Sequence, residues 1–243
     1  RFAQLGISRS VPGIVAWGLQ LSAALGRPRV VIGVPFATIT DGAGFNTSVL
    51  PVVVDASPGR RIRDIMLDVA ESLAGGLDHR AASLGSILTG LDPSTTWERT
   101  PFDGVVTVHD VLRERDDVTV TWEPSGRSNS AAGLVIPSSD EGSPLAMELD
   151  TAILEGESIG AWQERLVKTL EFIGRSAGAE GASLTVEDHR GWTSTDTGRS
   201  AGFDTLATSI ESRSIVDRFL ETVERHRDAV AIVDSTGECT YGE

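Results

Sequence analysis

The stretch from Pro12 to Leu25 limits the possible folds more than any other part of this chain. Pro12 opens a helix-like run in which Ile14, Val15, Trp17, Leu19, Leu21 and Leu25 leave almost no polar face, and Gly26 closes it. A helix that is apolar all round belongs in a core, so the remaining elements must enclose it. With 243 residues the chain is long enough to build such a core, as one large domain or one and a half.

The segments after Gly26 supply the enclosing elements. Val30-Val31-Ile32-Gly33-Val34-Pro35-Phe36 is a short, continuous apolar run rich in β-branched residues, the pattern of a central strand. A turn at Thr40-Asp41-Gly42-Ala43-Gly44 leads to a second strand through Val49–Val54. After Ser57-Pro58-Gly59, the recurrence of Ile62, Ile65, Met66, Val69 and Leu73 with charged residues between them predicts an amphipathic helix closing at Gly75-Gly76. A weaker helical patch lies near Leu84 to Leu88, and strands are expected at 104–109, 118–122 and 145–149. The stretch from Glu123 to Pro144 is rich in Ser, Gly and Pro around the apolar island Leu134-Val135-Ile136, and it is expected to be an excursion from the sheet. Ser158 caps a further helix with an apolar stripe of Ile159, Trp162, Leu166, Leu170 and Ile173. From Gly174 to Gly202 the composition shifts to Ser, Thr, Gly and Asp, as in a linker. Ser214 then begins a helix bearing Ile215, Phe219 and Val223, followed by a strand at 230–233.

Charge narrows the function. Thirty-five acidic residues against 21 basic ones give a net charge of -14, which repels a phosphate backbone or an anionic leaflet, so neither nucleic acid nor a membrane surface is an expected partner. The lone lysine, Lys168, sits in a helical stretch rather than a Gly-rich turn, which excludes a Walker-type phosphate loop. The lone cysteine, Cys239, permits no internal disulfide and no thiolate-rich zinc site, so a reducing, cytoplasmic home is expected. No stretch reaches the length of a membrane span, and Pro12, Trp17 and Gln20 break the one run that could imitate a secretion signal.

Catalytic motifs are sparse. None of His79, His109, His189 and His226 has a second histidine beside it or an acid four residues on, so no local motif encodes acid–base work by histidine. Gly-x-Ser-x-Gly occurs around Ser176 and Ser200, but a nucleophile elbow needs a strand before the serine. The first instance follows a helix and the second lies in the Ser/Gly-rich segment. Gly42-Ala43-Gly44 is half of a dinucleotide fingerprint without its third glycine, and a turn with positive φ accounts for it better. Asp116-Asp117, flanked by Arg113 and Arg115, fits a charged hairpin turn better than a metal site. His79 and His109 fit structural positions better than ligand positions. On the residues alone this is a soluble α/β body without a self-contained active site.

Two stretches taken together bring a family into view. Val30-Val31-Ile32-Gly33-Val34-Pro35, followed by Gly42-Ala43-Gly44-Phe45-Asn46-Thr47-Ser48-Val49-Leu50-Pro51, resembles the second half of the condensation domain of nonribosomal peptide synthetases. That half has a "VVxGxP" strand, a "GxFVNT" turn and an "LPLR" strand. Gly42, Asn46 and Thr47 match, whereas Gly44 replaces an aromatic residue and Phe45 an aliphatic one. Leu77-Asp78-His79-Arg80 is similar to the family's "HQD" patch, Thr100–Val106 to its "sPLFxVxF" strand, and Leu145–Ile173 to its closing strand and helix. The tail, with Asp228-Ala229-Val230-Ala231-Ile232-Val233 and Cys239-Thr240-Tyr241-Gly242-Glu243, is similar to the opening of an adenylation domain.

The resemblance implies an α/β, two-layer fold: a mixed β-sheet packed with helices, one lobe of a chloramphenicol-acetyltransferase-like condensation domain. It implies a condensation-domain C-terminal lobe over 1–175, an interdomain linker over 176–213 and the start of an adenylation domain over 214–243. Such a domain joins a carrier-bound acyl or peptidyl donor to a carrier-bound aminoacyl acceptor by amide formation. The family's catalytic "HHxxxDG" loop belongs to the other lobe and is not in this sequence, so no catalytic residue is assigned here and the chain alone is expected to be inactive. Gly42, Gly44, Asn46 and Thr47 would line the floor of the substrate tunnel, although Asn46 and Thr47 equally suit holding the turn by side-chain hydrogen bonds. The turn between Phe36 and Gly42 lacks an arginine expected there. An excursion within Glu123 to Pro144 would bridge to the other lobe.

No cofactor or metal is expected to bind directly, the phosphopantetheine arms being those of peptidyl carrier domains. The implied partners are the N-terminal lobe, those carriers and the adjacent adenylation domain, with weak self-association through apolar surface that the other lobe would cover. Alternatives are a noncatalytic docking platform of the same fold, a heterocyclising relative, and an unrelated α/β interaction domain.

Overall fold

The computed structural model describes residues 7–39, 45–79, 82, 84–91, 101–109, 130–137, 145–150, 157–193, 215–234 and 237–242. The chain forms two compact units, Arg1–Thr208 and Ser209–Glu243. In the larger unit the order is α1 (Ser10–Leu25), β1 (Arg29–Ile39), β2 (Phe45–Asp55), α2 (Ile62–Asp78), α3 (Leu84–Leu91), β3 (Gly104–His109), β4 (Ala132–Pro137), β5 (Ala146–Leu149), α4 (Ile159–Ser176) and α5 (Val186–Thr193). Its five strands make one mixed sheet in the order β2-β1-β3-β4-β5. The central pairs β1/β3 and β3/β4 are parallel, and the edge strands β2 and β5 are antiparallel to their neighbours.

Helix α1 is the centre of this unit, as its sequence requires. Every residue from Val11 to Ser22 is buried. One side of α1 meets the sheet face formed by Val30, Ile32 and Val34 of β1, Val52 and Val54 of β2, Val106 of β3, and Ala132, Leu134 and Ile136 of β4. Around the rest of it pack α2, through Ile62, Ile65, Met66 and Val69, and α4, through Trp162, Leu166 and Ile173. Trp17 and Trp162 lie ring to ring at 6.1 Å between centroids, and the Gln20 amide donates to the Trp162 carbonyl at 3.0 Å, joining α1 to α4.

Close approach of α1 to β2 depends on Gly18. A Cβ there would stand 2.6–2.7 Å from the three branching carbons of Val54, a buried side chain with nowhere to retreat. Gly18→Ala is therefore expected to lower unfolding stability by about 1–3 kcal/mol. Gly75→Ala, in the interior of α2 with nothing within 4 Å of the added carbon, is expected to raise it by about 0.5–1 kcal/mol. Urea unfolding of the two variants checks both signs.

The smaller unit consists of α6 (Ile215–Arg225), β6 (Val230–Asp234) and β7 (Gly237–Thr240), the strands forming an antiparallel hairpin. The chain after β7 folds back on the approach to β6: Tyr241 N–H donates to the Ala229 carbonyl at 3.0 Å and Gly242 N–H to that of Arg227 at 2.9 Å. Phe219 of α6 faces Tyr241 at 6.3 Å between rings.

Four sequence expectations need correction. Leu134-Val135-Ile136 is not the tip of an excursion but the middle of β4, which lies between β3 and β5 with Leu134 and Ile136 against the core. Its shortness and its Ser/Gly/Pro surroundings disguised it; the expected strand at 118–122 lies outside the described residues. Helix α2 does not close at Gly75-Gly76 but continues to Asp78, the leucine side chain of Leu50 packing where Gly76 leaves room. Strand β2 begins at Phe45, so Asn46 and Thr47 belong to a strand rather than to the turn. The first part of the expected linker is not an open connection either: residues 177–193 turn back and form α5, with Val186 and His189 buried. Its Ser, Thr, Gly and Asp residues serve turns and caps. Thr185 and Asp188 cap α5 reciprocally, the carboxylate accepting from the Thr185 N–H at 2.9 Å and the Thr185 hydroxyl accepting from the Asp188 N–H at 3.3 Å.

Candidate functional site

The candidate site is the place where β1 parts from β3. Val31 exchanges bonds with Asp103, its N–H donating to the carboxylate at 2.8 Å and its carbonyl accepting from the Asp103 N–H at 2.8 Å. The backbone groups of the odd-numbered residues of β1 therefore point towards β3, and those of the even-numbered residues towards β2. On the β3 side the ladder covers only Ile32 with Gly104 and Gly33 with Val105, whereas β1 and β2 pair along all eleven residues of each strand. Pro35 explains the stop, since the next N–H due on that side is missing. Pro51, opposite Gly33 on edge strand β2, turns its missing donor outward, where nothing is lost.

The outer halves of β1 and β2 thus form a two-stranded arm that runs on beyond its pairing with β3. At its root, Phe102 lies across Gly33, where a Cβ would stand 2.9 Å from the ring. Asp103 fixes the root electrostatically: besides the Val31 N–H, its carboxylate receives the guanidinium of Arg27. At the far end of β2, Asp55 accepts from the Ser57 hydroxyl at 2.5 Å, the Ser57 N–H at 3.1 Å and Arg29 Nε at 3.2 Å. The Ser57 hydroxyl bond chiefly holds this carboxyl below its ordinary pKa, against a smaller opposing effect of burial, with further help from the Ser57 N–H and Arg29.

Of the residues expected to line a tunnel floor, Asn46 and Thr47 lie on this arm. Asn46 stands opposite Thr38 and Thr47 opposite Ala37 in the β1/β2 register; Gly42 and Gly44 lie outside the described residues. Gly33, Phe102 and Asp103, which shape the root of the arm, fall within stretches likened to the family's strands, but that likeness assigns them no role at the site. The available signal was Pro35 inside a strand of otherwise central character, which marks the end of a ladder. Among the described residues no three His, Cys, Asp or Glu side chains come together. Ser176, of the first Gly-x-Ser-x-Gly, is buried and donates to the Ile173 carbonyl at 2.7 Å, closing the end of α4. Ser200, Asp116 and Asp117 lie outside the described residues, and no helix among the described residues is long and apolar enough to cross a membrane.

No protein-family model matches this chain, and no curated protein sequence does. Solved structures do match. The starter condensation domain of rhizomide synthetase RzmA superposes with a TM-score of 0.53 at 18% identity, covering 74% of this chain and 44% of that one. The condensation domain from the Monacolin K polyketide synthase MokA gives 0.57 at 17% identity, covering 72% and 42%. The four-domain nonribosomal peptide synthetase AB3403, bound to AMP and glycine, gives 0.59 at 13% identity and covers 98% of this chain but 20% of its own. The likeness establishes the fold: a mixed sheet packed with helices, as in condensation domains. The chain spans under half the length of the condensation domains it matches.

Proposed function

We propose that this chain contributes the C-terminal lobe of a nonribosomal peptide synthetase condensation domain, over 1–175, with a connecting segment over 176–213 and the opening of an adenylation domain from 214. The observation that carries the reading is the α/β unit's match to less than half of a condensation domain. That the four-domain synthetase covers 98% of the chain supports extending it to the smaller unit. In this reading the other lobe supplies the catalytic histidine, and this lobe holds the substrates against the arm of β1 and β2.

The chemistry of the arm suits that task. The substrates arrive on phosphopantetheine arms, extended chains with two amide groups. Beyond Gly33 the odd-numbered residues of β1 turn the Pro35 carbonyl and the Ala37 N–H and carbonyl to the side where pairing with β3 has stopped. An amide-bearing arm can pair with such an edge as a strand would. Gly42, Gly44, Asn46 and Thr47 are the proposed floor, and peptidyl carriers, the other lobe and the adenylation domain are the proposed partners. Weak self-association of this chain alone is expected from the second sheet face, where Val53 is half exposed.

An amide-forming assay with two loaded carrier domains tests the proposal, comparing this chain with one extended upstream by its natural first lobe. Product from the extended protein alone is expected. Product from neither favours a docking platform of the same fold, and product from this chain alone would refute the proposal, because it would require a catalytic base within these residues.

A further inference from the structure

Helix α2 begins without a side-chain cap: Arg61 at its N-cap is extended and makes no capping bond. The Ile62 N–H is instead taken by the Leu184 carbonyl at 2.9 Å, and the Val186 N–H donates to the Arg60 carbonyl at 2.9 Å. Arg61 and Thr185 pair between them as an antiparallel bridge. Two helices from distant parts of the sequence thus satisfy each other's open ends, which would otherwise need partners of their own.

The segment that does this has four further holds, all on α4. The Thr169 hydroxyl donates to the Arg165 carbonyl at 2.8 Å, so it accepts from His189 at 3.0 Å, which fixes the imidazole proton on Nε2. Phe172 meets the His189 ring edge-on at 5.5 Å. Trp192 leans tilted against Phe172 at 6.1 Å between ring centroids and lies under the Arg175 guanidinium at 4.6 Å. Gly181 lies so close to the Arg175 carbonyl that no Cβ fits.

We propose that residues 177–193 and the first turn of α2 are one latch, which opens and closes as a unit without opening the sheet. Releasing the segment removes the partner of the Ile62 N–H at once. The ladders of β1, β2 and β3 use no group of the segment. The latch stands independently of the amide-forming reading and concerns how the segment after α4 is tied to the α/β unit.

Hydrogen exchange of the full chain in a series of mild denaturant concentrations tests it. The amides of Ile62, Val186 and His189 are expected to share one opening free energy, below that of the β1 and β2 amides. Gly181→Val is expected to speed exchange of Ile62 and Val186 together, by at least about tenfold, with β1 unchanged. An Ile62 amide that opens only with the sheet, or that ignores Gly181→Val while 185–193 exchange faster, would overturn the proposal. If Gly181→Val unfolds the protein, the denaturant series on the parent chain decides.

Discussion

Replacing Trp17 by alanine is expected to lower the stability of the α/β unit by about 3–5 kcal/mol, the range for deleting a large aromatic side chain from a packed core. That is a large share of the about 5–15 kcal/mol that typically holds a domain together. Trp17 is fully buried, on the helix that every other layer touches, and pairs with Trp162. Trp17→Phe is expected to cost much less, because the Trp17 indole N–H has no hydrogen-bond partner among the described residues and the smaller ring forfeits only volume. Chemical denaturation of both variants checks the contrast. A phenylalanine variant as unstable as the alanine one would mean that the indole N–H is bonded after all.

Acid is expected to weaken the unit through His189. Burial, its main cause, holds this imidazole's pKa down at about 4, with Arg190 adding to the effect, against an ordinary value of 6.5. The native ring is therefore neutral while the unfolded chain takes up a proton near 6.5, so stability is lost as pH falls from 6.5 towards about 4. The full loss is about 3 kcal/mol. Asp55, its carboxyl held low, adds a loss in the same direction at lower pH. His189→Gln can still donate to Thr169 and does not titrate, so it isolates the histidine: urea midpoints of the variant are expected to fall less than those of the parent between pH 7 and pH 4. Parallel declines would assign the acid sensitivity to the carboxylates.

The parts of the fold legible in the sequence are those whose pattern has one explanation. A helix without a polar face can only be central, and α1 is. The spacing of Ile62, Ile65, Met66 and Val69 determines which side of α2 is buried, and all four are. The hidden parts depend on partners distant in sequence. Three apolar residues among Ser, Gly and Pro become a central strand only because β3 offers a parallel ladder and β5 closes the other side. Thr185 and Asp188 look like linker residues until α5, which they cap, is seen to start where the Leu184 carbonyl takes the open Ile62 N–H of α2. At the candidate site, the family motif marked Asn46 and Thr47, but the parting of β1 from β3 stems from Pro35, whose lost donor matters only once it is known which side of the strand it faces.

The order of the sheet also carries a consequence for how the molecule assembles. Strands β1 and β2 are neighbours both in sequence and in the sheet, whereas β1 meets β3 only across a long stretch of chain. The contact that sets β3 beside β1 joins residues 72 apart, and the bond from Gln20 to Trp162 joins residues 142 apart. Closing loops of that size must precede any reward from the contacts they bring, which slows folding and favours nuclei made of near neighbours. The hairpin of β1 and β2, flanked by α1 and α2, is the expected nucleus, with the parallel centre expected to condense on it afterwards. During synthesis this half of the unit emerges from the ribosome first, so its exposed β1 edge waits for β3 while the rest of the chain is still being made.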